Sequence, residues 1–83
     1  MEYELTQHAQ DVLAERRIPV QWLERVLDSP ERIIPDAQDK ELEHRLGRIK
    51  EHGDRVLRVI LNRQAAPARV VTAFFDRVLR GKL

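Results

Sequence analysis

The chain has 83 residues, of which 42% are hydrophobic and 35% charged, with a formal net charge of +1 and no cysteine. That length holds one domain and one core, and the lack of cysteine excludes disulfides and thiolate metal sites. With no basic-then-apolar leader and no apolar run near the roughly 20 residues of a membrane span, the expectation is one cytoplasmic α+β domain over residues 1–83 that needs no cofactor or metal.

Thr6 is a good N-cap, and Leu5, Ala9, Val12 and Leu13 fall on one helical stripe, so the spacing predicts a first helix from about Gln7 to Arg16 or Arg17. Arg16 lies near the centre of that stripe, where a charged group must snorkel, pair with an acid or line a cleft. Ile18-Pro19 interrupts the helix, and Pro19 suits the first turn of a second. Val20, Leu23, Val26 and Leu27 give its apolar stripe, with Trp22 at the edge, and Ser29-Pro30 ends it.

The period then changes to two. Arg32-Ile33-Ile34 before Pro35 reads as a short strand and Asp36 to Asp39 as a turn. Leu42, His44 and Leu46 alternate with charged residues as in a half-buried strand. Ile49 has the opposite parity, so a bulge is expected at Gly47. Glu51-His52-Gly53-Asp54 is a hairpin turn leading to the strongest strand, Arg55 to Asn62. A turn at Ala65 to Ala68 precedes Val70 to Phe75, which is apolar on both faces and so reads as a covered strand. The tail from Asp76 to Leu83 either extends that strand or forms one helical turn.

Charge is segregated along the chain. Residues 1–39 hold Arg16, Arg17, Arg25 and Arg32 against nine acids; residues 40–83 hold eleven Lys or Arg against Glu41, Glu43, Glu51, Asp54 and Asp76. Either the halves attract each other across the fold, or the second half forms a basic face for nucleic acid or an acidic partner.

No phosphate loop, nucleophile elbow or zinc-protease helix is present, and His8, His44 and His52 are too scattered to indicate a metal site. His8 falls in the first turn of the first helix, a position suited to a neutral imidazole base, although a surface histidine is the commoner outcome. His44 lies between Leu42 and Leu46, where a hydrogen-bonded core histidine is the default. Arg45, Arg48, Lys50, Arg55, Arg58, Arg63 and Arg69 all fall on the expected meander or its turns. Arginines on strands grip phosphates in bidentate fashion, and metal-independent RNA cleavage needs them beside an acid–base pair. The pairs available are His8, His44 or His52 with Arg58, Lys50 or Arg77. Thr72 is the one polar side chain within the most apolar strand, which its strand propensity alone can explain.

Leu5-Thr6-Gln7-His8-Ala9, Glu15-Arg16-Arg17-Ile18, Leu27-Asp28-Ser29-Pro30, Leu57-Arg58-Val59-Ile60 and Val70-Val71-Thr72, in that order, resemble the domain-of-unknown-function family numbered four-two-five-eight. The resemblance runs from Tyr3 to about Phe75. It implies a fold like that of the RelE/ParE and BrnT toxins, with two N-terminal α-helices packed on a four-stranded antiparallel β-sheet. It also implies a ribonuclease-like or toxin-like role with an antitoxin or other protein partner. The family's marked positions fall on His8, Arg16 or Arg17, Arg58 and Thr72.

The resulting expectation is a toxin-like RNA-binding or RNA-cleaving domain. His8 would be the base or acid, Arg58 and Arg16 would hold the phosphate, and Thr72 would orient it. Arg17, Arg45, Lys50 and Arg77 would extend the substrate surface. The rival expectations are a non-catalytic module that binds protein through its sheet edge or basic face, and a homodimer paired edge to edge.

Overall fold

In the computed structural model, which describes residues 1–83, Thr6 caps the first helix as its spacing predicts. Its hydroxyl accepts a hydrogen bond from the Ala9 amide at 3.1 Å and donates one to the Val71 carbonyl at 3.1 Å. The same residue therefore starts α1 (Gln7–Glu15) and ties it to the sheet. Helix α2 (Val20–Asp28) follows with Pro19 as its N-cap, and Ser29 closes it.

The C-terminus of α1 is a six-residue wrap. The Ile18 amide donates to the Leu13 carbonyl at 2.9 Å and the Arg17 amide to the Ala14 carbonyl at 3.3 Å. This geometry places the residue after the cap in the left-handed region, and Arg17 sits there with φ 54°. The wrap also buries Ile18, which joins the core.

The sheet corrects the expectation of four antiparallel strands. Its strands are β1 (Tyr3–Leu5), β2 (Arg32–Pro35), β3 (Leu42–Ile49), β4 (Arg55–Asn62) and β5 (Ala68–Asp76). They lie in the order β1-β5-β4-β3-β2, and β1 runs parallel to β5, so the sheet is five-stranded and mixed. Leu5 belongs to β1 and not to the stripe of α1, and the Thr6 amide continues the ladder to the Val70 carbonyl at 3.0 Å. Three residues are too few to display a period of two, and their partner lies at the far end of the chain.

The bulge expected at Gly47 is also corrected. Register between β3 and β4 runs unbroken through Leu46–Arg58, Gly47–Leu57 and Arg48–Val56. The irregularity falls in β5, where Ile60 faces Thr72 but Leu61 faces Val70, leaving Val71 as the extra residue whose carbonyl Thr6 takes. What Gly47 supplies is room: a Cβ there would lie 3.2 Å from Val26 Cγ2 on α2. Parity shifts at Ile49 because both faces of β3 are covered. Ile49 belongs to the helix-side core, while Leu46 is buried on the other face.

Ala9 and Leu13 of α1 and Leu23, Val26 and Leu27 of α2 pack with Leu57, Val59 and Leu61 of β4 into one core. Each fully buried Leu or Val side chain of this layer contributes about 1.5–3 kcal/mol, so both helices are held mainly by this one layer. Alternation along β4 then sends Arg58 to the face away from the helices. No helix is long and apolar enough to cross a membrane.

Candidate functional site

On the helix-free face, Arg58 occupies the middle of a line of four side chains. Its Nε and Nη2 donate to Asp76 Oδ2 at 3.0 and 2.8 Å, and its Nη1 donates to His44 Nδ1 at 2.7 Å. A guanidinium only donates, so His44 Nδ1 is the acceptor and Nε2 carries the proton, which it donates to Asp36 Oδ1 at 2.6 Å. The His44 bond, together with the backbone amides of Asp39 and Gln38, brings the Asp36 carboxyl down to about 2. Burial pushes the Asp76 carboxyl up, but Arg58 and the amides of Leu79 and Val78 outweigh it and hold Asp76 below the usual range.

Asp76 also shapes the C-terminal tail. Its Oδ1 accepts from the amides of Val78 and Leu79 at 3.0 and 3.3 Å, folding the tail into a turn that presents Arg77 and Arg80. These two face Arg16 at the cap of α1 and Arg55 at the start of β4, across a pocket of about 410 Å³. His52, Phe75 and Asp76 complete its lining. His52 ends the 3-10 turn Lys50–His52 that links β3 to β4, and Arg55 Nη1 approaches its Nε2 at 3.4 Å. The ring centroids of His52 and Phe75 are 4.8 Å apart, and Trp22 on α2 lies 5.5 Å from His52.

Ion pairing distinguishes these arginines from five others. Arg69 pairs with Glu4 and Arg48 with Glu31, so acidic and basic halves of the chain do meet across the fold. Arg25, Arg45 and Arg58 are paired with Glu51, Glu43 and Asp76. Arg16, Arg55, Arg77 and Arg80 have no acidic partner within ion-pair distance. Four guanidinium groups without an acidic partner line one concavity, which makes it locally positive.

The residues expected from sequence divide between locations. Arg16 and Arg77 come together in the pocket. Arg58 and Thr72 share the helix-free face, with Thr72 opposite Ile60, but His8 is exposed on α1, which packs on the other face. His8, Arg58 and Thr72 therefore do not form one cleft. Arg17 is exposed beside the pocket arginine Arg16. Lys50 is exposed and borders a smaller concavity of about 230 Å³ between α2 and β3.

Arg45 is only 8% exposed, and its Nη1 donates to the Leu27 carbonyl at 2.6 Å. It satisfies the C-terminal end of α2 and serves the fold. Arg80 is not singled out by sequence, nor are Arg55 and His52 as pocket walls. The available signal is Asp76, an Asx-turn residue just after a strand, which puts Arg77 and Arg80 on one turn.

A family model, Domain of unknown function (DUF4258), matches residues 5–75. No curated protein and no solved structure matches the chain.

Proposed function

The chain belongs to the DUF4258 family of domains of unknown function, and we propose that this member is a small toxin-like domain that binds RNA through its arginine pocket. The observation that carries the reading is the convergence of Arg16, Arg55, Arg77 and Arg80 without acidic partners. Such a set neutralises a run of phosphates, and bidentate guanidinium contacts fix their orientation. Five of the other eight arginines are engaged in ion pairs, so four of the seven unpaired arginines line this pocket.

Binding is better supported than cleavage. Metal-independent cleavage needs a base for the 2′-hydroxyl and an acid for the leaving oxygen. His52 is the one imidazole in the pocket and supplies one of those roles, while the arginines supply charge stabilisation. His8 lies outside this arrangement.

The test is the affinity of a labelled RNA for the full chain as a function of salt, beside Arg16→Ala, Arg77→Ala and Arg80→Ala. Each substitution should weaken binding several-fold and reduce the salt slope by about one. Unchanged affinity in all three variants refutes the reading. RNA cleavage and growth arrest on expression, compared between the wild-type chain and His52→Ala, decide whether binding leads to chemistry.

A second reading, a protein-binding module that accepts a strand from its partner, is favoured by β2. That strand has a free edge and carries Ile33, 50% exposed. A partner that co-purifies with Arg77→Ala but is lost with Ile33→Asp supports this reading over the first.

A further inference from the structure

We infer that the pocket takes one nucleotide of a single-stranded RNA, with its phosphate on the arginines and its base against the ring pair of Phe75 and His52. This rests on the RNA reading above and specifies the form of RNA that fits. The arginines alone would hold any polyanion. The rings add a selective element, because both line the same concavity as the guanidinium groups.

The ring wall is supported from behind. Phe75 and His52 are inclined at 44° with centroids 4.8 Å apart. Trp22 packs edge-on to Phe75 at 6.2 Å and lies 5.5 Å from His52, so three rings brace one another. Phe75 is fixed further by its register opposite Leu57 and by its packing against the core. A rigid aromatic surface beside a phosphate site is what an unstacked base requires, and every base has a face to offer it.

Duplex RNA cannot use this arrangement, because its base faces are stacked on one another and only base edges, sugars and phosphates are exposed. A single strand can turn one base into the pocket while its flanking phosphates stay on the arginines. The volume of about 410 Å³ falls within the roughly 300–1,000 Å³ of sites that enclose small molecules, so a nucleotide can enter.

Trp22 is the protein's one tryptophan and reports directly on the ring wall. The experiment titrates the full chain with a short oligoadenylate, an abasic strand of equal length and charge, and a duplex RNA, following Trp22 emission and dye anisotropy. The base-bearing strand should bind about tenfold more tightly than the abasic one and alter Trp22 emission. Phe75→Leu should narrow that difference to within twofold. Equal affinity for the two single strands overturns the inference while leaving the arginine reading intact; no binding by any of the three overturns both. The comparison of strands on the unaltered protein carries the test alone should Phe75→Leu not fold.

Discussion

Asp76 serves Arg58 with one carboxylate oxygen and the chain with the other. Oδ2 accepts both Nε and Nη2 of Arg58, while Oδ1 closes the turn on the amides of Val78 and Leu79. Arg58 thus fixes the orientation of a carboxylate that in turn fixes Arg77 and Arg80. Its importance to the pocket is that of a positioning residue, since the pocket lining does not include it.

Replacing Arg58 with Gln should lower unfolding stability by about 2 kcal/mol, because charged hydrogen bonds to a largely buried carboxylate are lost together. RNA affinity should fall as well, although Arg58 does not line the pocket. Arg77→Ala should reduce affinity without a comparable loss of stability. Chemical denaturation and RNA titration of both variants separate the two effects; full affinity in a destabilised Arg58→Gln would deny Arg58 its positioning role.

Four carboxylates are held below their usual range, and they set the acid limit of the fold. Asp36 is brought down to about 2 chiefly by His44, and Glu51 to about 2 chiefly by the bidentate Arg25. Glu31 is lowered by Arg48, and Asp76 by Arg58 against the opposing effect of burial. The unfolded carboxyls protonate near about pH 4, so between there and about pH 2 the unfolded chain binds more protons than the folded one. Their stabilisation is complete above that window and drains away as pH falls through it. Melting temperature should drop across this range, and Arg25→Ala should flatten part of the slope by releasing Glu51. A variant with an unchanged slope would show that the Arg25–Glu51 pair contributes nothing in solution.

How far the residues disclose the fold depends on the range of the interactions. Thr6, Pro19 and Ser29 mark helix ends through bonds made a few positions away, and the structure keeps all three. The two stripes of α1 and α2 are legible for the same reason. The pairing of β1 with β5 is not, because no local pattern records a strand of three residues whose partner is the last strand. Arg16 stands out as a charge on an apolar stripe and does line a cleft, whereas Arg45 reads as a surface cation until α2 is laid over it. His8 and Thr72 are grouped by resemblance, but the sheet stands between the face bearing Thr72 and the helix bearing His8.

Arg16 and Arg17 can be told apart by backbone geometry. Arg17 adopts φ 54°, a conformation that costs a residue with a Cβ about 1 kcal/mol and costs glycine almost nothing. Arg17→Gly should raise unfolding stability by less than about 1 kcal/mol, since the relief of left-handed strain is partly offset by the freedom glycine gives the unfolded chain, and should leave RNA affinity within twofold of wild type. Arg16→Ala should do the reverse, with stability nearly unchanged and affinity reduced. A large loss of affinity in Arg17→Gly would shift the phosphate contact from Arg16 to its neighbour.

Gly47 provides a test of why the sheet and α2 lie so close. Its backbone is free of positive φ, so the residue is needed for space and not for conformation. Alanine would bring a Cβ to 3.2 Å from Val26 Cγ2, so the Val26 side chain must give way by a few tenths of an ångström. Gly47→Ala should cost no more than about 1 kcal/mol of stability, because crowding at Val26 is partly offset by the smaller unfolded-state freedom of alanine. Val26→Ala alone should also destabilise, by leaving a void beneath α2. Combined, the two should cost less than the sum of the single changes, because the added methyl fills space that Val26 vacates. Strict additivity in a double-mutant cycle of denaturation midpoints would mean that the two side chains do not meet, and that glycine at 47 answers some other need of β3.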